Sequence, residues 1–303
     1  MLEKLTLSNM EILKKLYFDS LKESSYNKDF FKCYDNQNFI IKFLYRKFIK
    51  IIKLNNVSVG YIWYEAPIDN FIKVWALYID YRYINELSKR ILSSFNNYIL
   101  SYEAIDTSKN AIILENLGFR INNDTLFMEM NLDNYDNSKK INDIHLKLVE
   151  NLYIKKNFNS NVCFSTRKLV VGVDEELRCN IQNNIFGELN RRPLLLEDIY
   201  GDMAQDYYLK DLCVFGMVNN SYIGYGQIIF SREMFTVVNF GIVKEFRGMG
   251  LGKLLLDEII LYANRAGIRK ISIRVDCSNE KAIDLYKWIG FNEKNKILIW
   301  ERT

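Results

Sequence analysis

Arg247 is followed by glycine at three alternate positions, Gly248, Gly250 and Gly252, with Met249 and Leu251 between them. The flanking pattern puts this run at the mouth of a helix. Free backbone N–H groups and the positive end of a helix dipole favour an anion there. Glycine also lets a pyrophosphate approach the backbone with no Cβ in the way, and Arg247 adds a cation at the rim. The chemistry suited to such a turn is the holding of a phosphate-bearing ligand. It matches neither common nucleotide motif. Lys253 stands where the dinucleotide fingerprint needs its third glycine, and no Gly-Lys-Ser/Thr follows, which excludes a P-loop.

The elements that must position this turn are legible on both sides. Phe235 to Val243 is rich in Phe, Val, Ile and Thr and reads as a strand. Apolar residues at 251, 254, 255, 259, 262 and 263 follow helical spacing, with Gly267 as the stop. Lys270 to Asp276 alternates Ile271, Ile273 and Val275 with polar residues, as a half-buried strand does. Asn279 to Phe291 then reads as a short helix ending at Gly290, with Ser278 or Asn279 as its cap.

The pattern R-x-x-G-x-G at Arg247–Gly252, followed by N-x-x-A-x-x-L-Y-x-x-x-G-F at Asn279–Phe291, resembles the GNAT superfamily of acyl-CoA-dependent N-acetyltransferases. The resemblance covers residues 235–302. It implies that Arg247, Gly248, Met249, Gly250, Leu251 and Gly252 bind the pyrophosphate of acetyl-CoA. It further implies that the backbone of Ile242 and Val243 pairs with the pantetheine arm, and that Asn279 contacts that arm. A backbone N–H near Phe240 would polarise the thioester carbonyl, as a donor fixed in advance does at no reorganisation cost. Tyr286 would be the acid, because a phenol with an ordinary pKa of about 10 is protonated at neutral pH and can donate to a leaving thiolate. The position where some relatives carry a glutamate base falls on Thr236, which cannot serve. Glu233, just before the strand, is a candidate for a substitute base, with a solvated turn carboxylate as the competing reading; a water chain or an amine arriving neutral would make a base unnecessary.

Composition narrows the classes. The 303 residues allow about two domains, and 49% hydrophobic against 26% charged residues suits a globular core. A net charge of +4, spread along the chain, does not indicate nucleic acid. The aromatic and basic segment Phe39 to Leu54 reads as a strand with snorkelling lysines rather than a nucleic-acid surface. Five cysteines without a C-x-x-C and a single histidine, His145, argue against a metal site, a disulfide framework or a histidine base, leaving the cysteines as buried apolar thiols. No apolar run approaches a membrane span, and Met1 to Lys4 lacks a signal core, so the expected location is the cytoplasm.

The chain also repeats itself. Asn55-Asn56 with Gly60-Tyr61 and Asn219-Asn220 with Gly224-Tyr225 mark equivalent hairpins, and Asn110–Phe119 echoes Asn279–Phe291. Arg82 then corresponds to Arg247, but Tyr83, Asn85 and Leu87 replace the glycines, and Leu114 replaces Tyr286. The expected architecture is α/β (α+β): two tandem GNAT-like domains, each a mixed, mainly antiparallel sheet flanked by helices. Residues 1–135 would be degenerate, without a cofactor motif, and 141–303 catalytic, with the boundary in the polar stretch 133–140. The expected activity is acetyl transfer from acetyl-CoA to a primary amine, by direct attack in a ternary complex. The acceptor is a small metabolite, or a cationic amine or basic peptide; Glu197, Asp198, Asp202, Asp206 and Asp211 supply either a local acidic field for a cationic acceptor or simply a solvated helix face. The alternatives are a non-catalytic acyl-CoA-binding regulatory module and a transferase of a larger acyl or aminoacyl group.

Overall fold

A computed structural model describes residues 1–23, 25–133, 135–136, 163–187 and 192–303. The chain divides into two compact units, Met1–Leu126 with Asn295–Thr303, and Phe127–Lys294. The sequence reading places a single cut at 133–140, of which only 133, 135 and 136 are described. His145 also lies outside the described residues.

The first unit contains β1 (Leu2–Lys4), α1 (Met10–Ser20), α2 (Phe30–Asp35), α3 (Phe39–Lys47), β2 (Ile49–Leu54), β3 (Val57–Tyr64), β4 (Phe71–Ile79), β5 (Ile99–Ile105), α4 (Ser108–Asn116) and most of β6 (Arg120–Asn131). β1 to β4 pair antiparallel in sequence order, and β4 pairs parallel with β5. The sheet continues with residues from the far end of the chain: β12 (Asn292–Arg302) runs antiparallel to β5, setting Trp300 opposite Tyr102. Trp300 is 1% exposed and belongs to the same core as Leu114 and Phe119. A glycine turn and a long helix do not follow β4; two 3-10 segments, Tyr81–Glu86 and Lys89–Phe95, stand there.

Here the structure differs from the expected strand over Phe39 to Leu54. Asn38 accepts from the Ile41 N–H at 3.0 Å and starts a helix through Lys47, so only Ile49–Leu54 is strand. The apolar pairs Phe39–Ile40 and Phe43–Leu44 recur at helical rather than alternating spacing.

The second unit contains β7 (Phe164–Lys168), α5 (Glu175–Phe186), α6 (Leu196–Met203), β8 (Tyr208–Val218), β9 (Ser221–Ser231), β10 (Met234–Ile242), α7 (Leu251–Arg265), β11 (Lys270–Asp276) and α8 (Glu280–Ile289). Its strands run in the order β7-β8-β9-β10-β11, antiparallel except for β10 with β11. Asn219 and Asn220, with φ of 47° and 68°, make the β8–β9 turn, as Asn55 and Asn56 do for β2–β3 at 46° and 65°. One face of α7, including Leu254, Leu255, Ile259 and Ile260, is buried against β8, β9 and β10.

One irregularity opens this unit. β10 is parallel to β11 only from Phe235 to Val237, and its register with β9 shifts between Val238 and Gly241. Within the shift, Asn239 is left-handed with φ 53°. A bulge of this kind bends a strand and re-aims its side chains, so past Val237 the two parallel strands part. Gly241 allows α5 to close over the bulge: a Cβ there would lie 2.3 Å from Cγ2 of Ile185.

Candidate active site

The bulge, the start of α7 and the body of α8 enclose a cleft of about 1020 Å³ within the second unit. Of the residues singled out from the sequence, Phe240, Ile242, Arg247, Gly248, Gly250, Leu251, Gly252, Asn279 and Tyr286 line it. The turn demands its glycines. Gly248 and Gly250 have φ of 75° and 85°, where a Cβ is strained. The Cβ position of Gly248 has no atom within 4 Å, so the backbone there meets open space, the condition a pyrophosphate requires. Gly250 caps α7 without a side-chain hydrogen bond, and the Lys253 N–H turns back to the Gly250 carbonyl at 3.0 Å, which leaves the Leu251 and Gly252 N–H groups to a ligand or solvent. Lys253 and Lys281 also line the cleft and, with Arg247, outnumber the acidic Asp284. That excess of positive charge suits phosphates.

Some residues do other work than the sequence suggested. Arg247 donates through Nε to the Ile242 carbonyl at 3.0 Å and through Nη2 to the Ile185 carbonyl at 2.6 Å, tying α5 to β10. The Val243 N–H donates to Ile223 at 2.9 Å, so a ligand pairing along this edge must use other backbone groups. Val243 and Met249 are buried beside the cleft and do not line it. Asn279 accepts from the Ala282 N–H at 3.2 Å, capping α8 while it lines the cleft. Thr236 hydrogen-bonds Ser272 across the parallel pair at 2.8 Å.

Glu233 stands apart. Arg232 and Glu233, with φ of 53° and 60°, form the tight turn between β9 and β10. Six residues of mostly extended chain separate Glu233 from Phe240, a span of roughly 20 Å. It lines a different cavity, with Glu129, Ala266 and Lys270. The geometry therefore does not bring this carboxylate to the cleft.

Tyr286 is 7% exposed, and burial pushes its phenol up to about 12. Its ring lies 6.2 Å from that of Phe240 and 6.1 Å from that of Phe291. Asn239 and Phe240 fall in the gap of the β9–β10 register, where the backbone is released from the ladder.

In the first unit the residues that correspond in sequence to Arg247 and Tyr286 are Arg82, which is exposed, and Leu114. Arg82 donates to both oxygens of Asp80, through Nε at 3.0 Å to each, and Leu114 is 1% exposed in the core.

Two features were missed in the sequence. Lys253, which breaks the dinucleotide fingerprint in the sequence, packs its ammonium 4.2 Å from the Trp288 ring centroid at the cleft. The other is a second cavity, of about 230 Å³, lined by Arg178, Gln182, Asp198, Asp202 and Asn239 among others. It gathers two of the five acidic residues noted above. Asp198 pairs with Arg192 and accepts from the Leu195 N–H, which holds its carboxyl below the usual range. Asp202 is engaged by Arg178, Tyr207 and Gln227.

The cysteines are all free; Cys179 and Cys213 are buried, whereas Cys163 is exposed. Among the described residues, no helix is long and apolar enough to cross a membrane.

Comparison with known proteins agrees with this geometry. A profile of the acetyltransferase (GNAT) family matches residues 183–291, from α5 through α8. A 71-residue stretch is 35% identical to an uncharacterized N-acetyltransferase of Methanocaldococcus jannaschii, covering 23% of this chain and 31% of that protein. Another of 75 residues is 35% identical to the ribosomal protein bS18-alanine N-acetyltransferase of Haemophilus influenzae, covering 25% and 51%. The chain thus spans about a third to a half of the length of these relatives. In fold it is similar to a GCN5-related N-acetyltransferase from Sphaerobacter thermophilus, with a TM-score of 0.66 at 12% identity over 100% of this chain and 95% of that one. It is also similar to a tandem GNAT protein from the clavulanic acid biosynthesis pathway, with a TM-score of 0.55 at 12% identity over 84% and 82%. The chain carries an acetyltransferase domain of the GNAT family, and its fold is that of GNAT proteins, tandem ones included.

Proposed function

We propose that the second unit binds acetyl-CoA and transfers its acetyl group to a primary amine by direct attack in a ternary complex. The observation that carries this reading is the convergence of the glycine turn, the Phe240 bulge and Tyr286 on one cleft. Acetyl-CoA supplies an activated acetyl thioester. The N–H groups at the start of α7 and the cations Lys253 and Lys281 hold its phosphates. The N–H at Phe240, released from the ladder, is the donor for the carbonyl oxygen.

Proton management follows from the high pKa of Tyr286. A phenol near 12 stays protonated throughout the working range, so it never competes as a base. Full transfer to a thiolate of pKa about 8.5 is uphill, so Tyr286 acts by hydrogen-bonding the departing sulfur. The proton lost by the attacking amine passes to the sulfur, which leaves as the CoA thiol, and the phenol keeps its own. With Glu233 away from the cleft, an amine arriving neutral, or a water chain that carries its proton away, makes a dedicated base unnecessary. The first unit, with Arg82 spent on Asp80, is the degenerate copy and holds no second cofactor.

The test is a CoA-release assay with acetyl-CoA across an amine panel, on the wild type and Tyr286→Phe. Turnover that falls while CoA affinity stays is the expected result. A variant as active as the wild type would remove Tyr286 from the mechanism. No turnover by the wild type with any amine, despite tight CoA binding, would favour a regulatory module.

A further inference from the structure

Arg178 is 1% exposed, yet two of its nitrogens, Nε and Nη1, have no hydrogen-bond partner among the described residues. Its remaining nitrogen, Nη2, donates to Asp202. Tyr208 and Tyr225 stand 5.7 and 5.5 Å from the guanidinium carbon. Those rings attract the charge but are weak hydrogen-bond acceptors. Gln182, one helical turn further along α5, is 3% exposed and also has an unpartnered Nε2. Leaving buried donors of a cation without acceptors is costly unless a ligand supplies them.

Arg178 and Gln182 both line the 230 Å³ cavity, which adjoins the cleft: Phe186 lines both, and Asn239 of the cavity directly precedes Phe240 of the cleft. The carboxylates there offer the donors nothing further. Asp198 is held by Arg192, and Asp202 also accepts from Tyr207 at 2.8 Å and from Gln227 at 3.3 Å. Arginine can only donate, and its planar fork matches a carboxylate.

Resting on the transferase reading above, we propose that the cavity between α5, α6 and the bulge is the acceptor subsite, and that Arg178 binds a carboxylate carried by the acceptor amine. The acceptor is then a small amino acid rather than a polycation. The cavity has the volume of about seven to eight waters, room for the few heavy atoms of a small amino acid. The amine reaches past Asn239 to the bulge while its carboxylate stays against α5.

Calorimetry on the full chain, with and without saturating CoA, tests this with L-alanine, β-alanine and γ-aminobutyrate, each beside its carboxamide. At least one carboxylate should bind on the order of 100-fold more tightly than its carboxamide. Arg178→Lys, which keeps the charge beside Asp202 but loses the fork, should shrink that gap to about threefold or less with CoA affinity unchanged. Equal binding of each pair by the wild type, or no binding of any carboxylate while CoA binds, overturns the subsite. Failure of CoA to bind overturns the transferase reading alone, because the carboxylate titrations are also made without it.

Discussion

Phe240 on the bulge of β10 and Tyr286 on α8 face each other with ring centroids 6.2 Å apart and planes inclined at 58°. The proposed carbonyl donor and the proposed acid are therefore held by different elements on either side of one cleft. The bulge makes the arrangement, since it frees β10 from both neighbours where the strand passes α8.

Tyr286→Phe removes the hydroxyl and keeps the ring. The expected loss in kcat is about 10²- to 10⁴-fold with CoA affinity changed little, measured by CoA release and calorimetry. Retained kcat with weakened CoA binding would instead assign the phenol to binding.

The pH profile should be one-sided. Burial pushes Tyr286 up to about 12, so its protonated form persists across the range and causes no fall below about pH 10. The rise in kcat/KM should follow deprotonation of the acceptor, near pH 8 for a peptide α-amino group and at higher pH for an amine beside a free carboxylate. A descending limb between about pH 8 and 9 would contradict the role given to Tyr286.

Gly250→Ala should weaken CoA binding and cost about 1–2 kcal/mol of stability, because φ is 85° at this position. Thermal unfolding and CoA titration of the same variant separate the two effects. An unchanged CoA affinity would mean that the turn only connects β10 to α7.

Acid stability should depend on Asp174. Its hydrogen bonds from Arg167, with the N–H of Val170, hold its carboxyl below the usual range despite burial. A depressed carboxylate contributes stability that is present in full above its unfolded pKa of about 3.9 and is lost as pH falls through the folded value. Asp174→Asn should lower Tm at pH 7, with the difference from wild type narrowing below about pH 4. A difference that stays constant down to pH 3 would deny the linkage.

Much of this was legible in the chain because it is local. The Asn-Asn turns, the glycine turn and the cap at Asn279 are set by residues within a few positions of one another. The helix at Phe39–Lys47 was hidden by its aromatic content, which weighs toward strand until the Asn38 cap is counted. The pairing of β12 with β5 links residues nearly two hundred positions apart, and no local pattern announces it. Arg178 escaped notice for the same reason. A lone arginine on a helix has no motif, and its meaning comes from tertiary burial and from an Asp202 already engaged.

The central claim is that the chain has one working cofactor cleft, in the second unit. Calorimetric titration of CoA into the full chain tests it most directly. One site per chain is expected, weakened by Gly250→Ala and untouched by Arg82→Ala. Two sites per chain, or a site that Arg82→Ala abolishes, would contradict it.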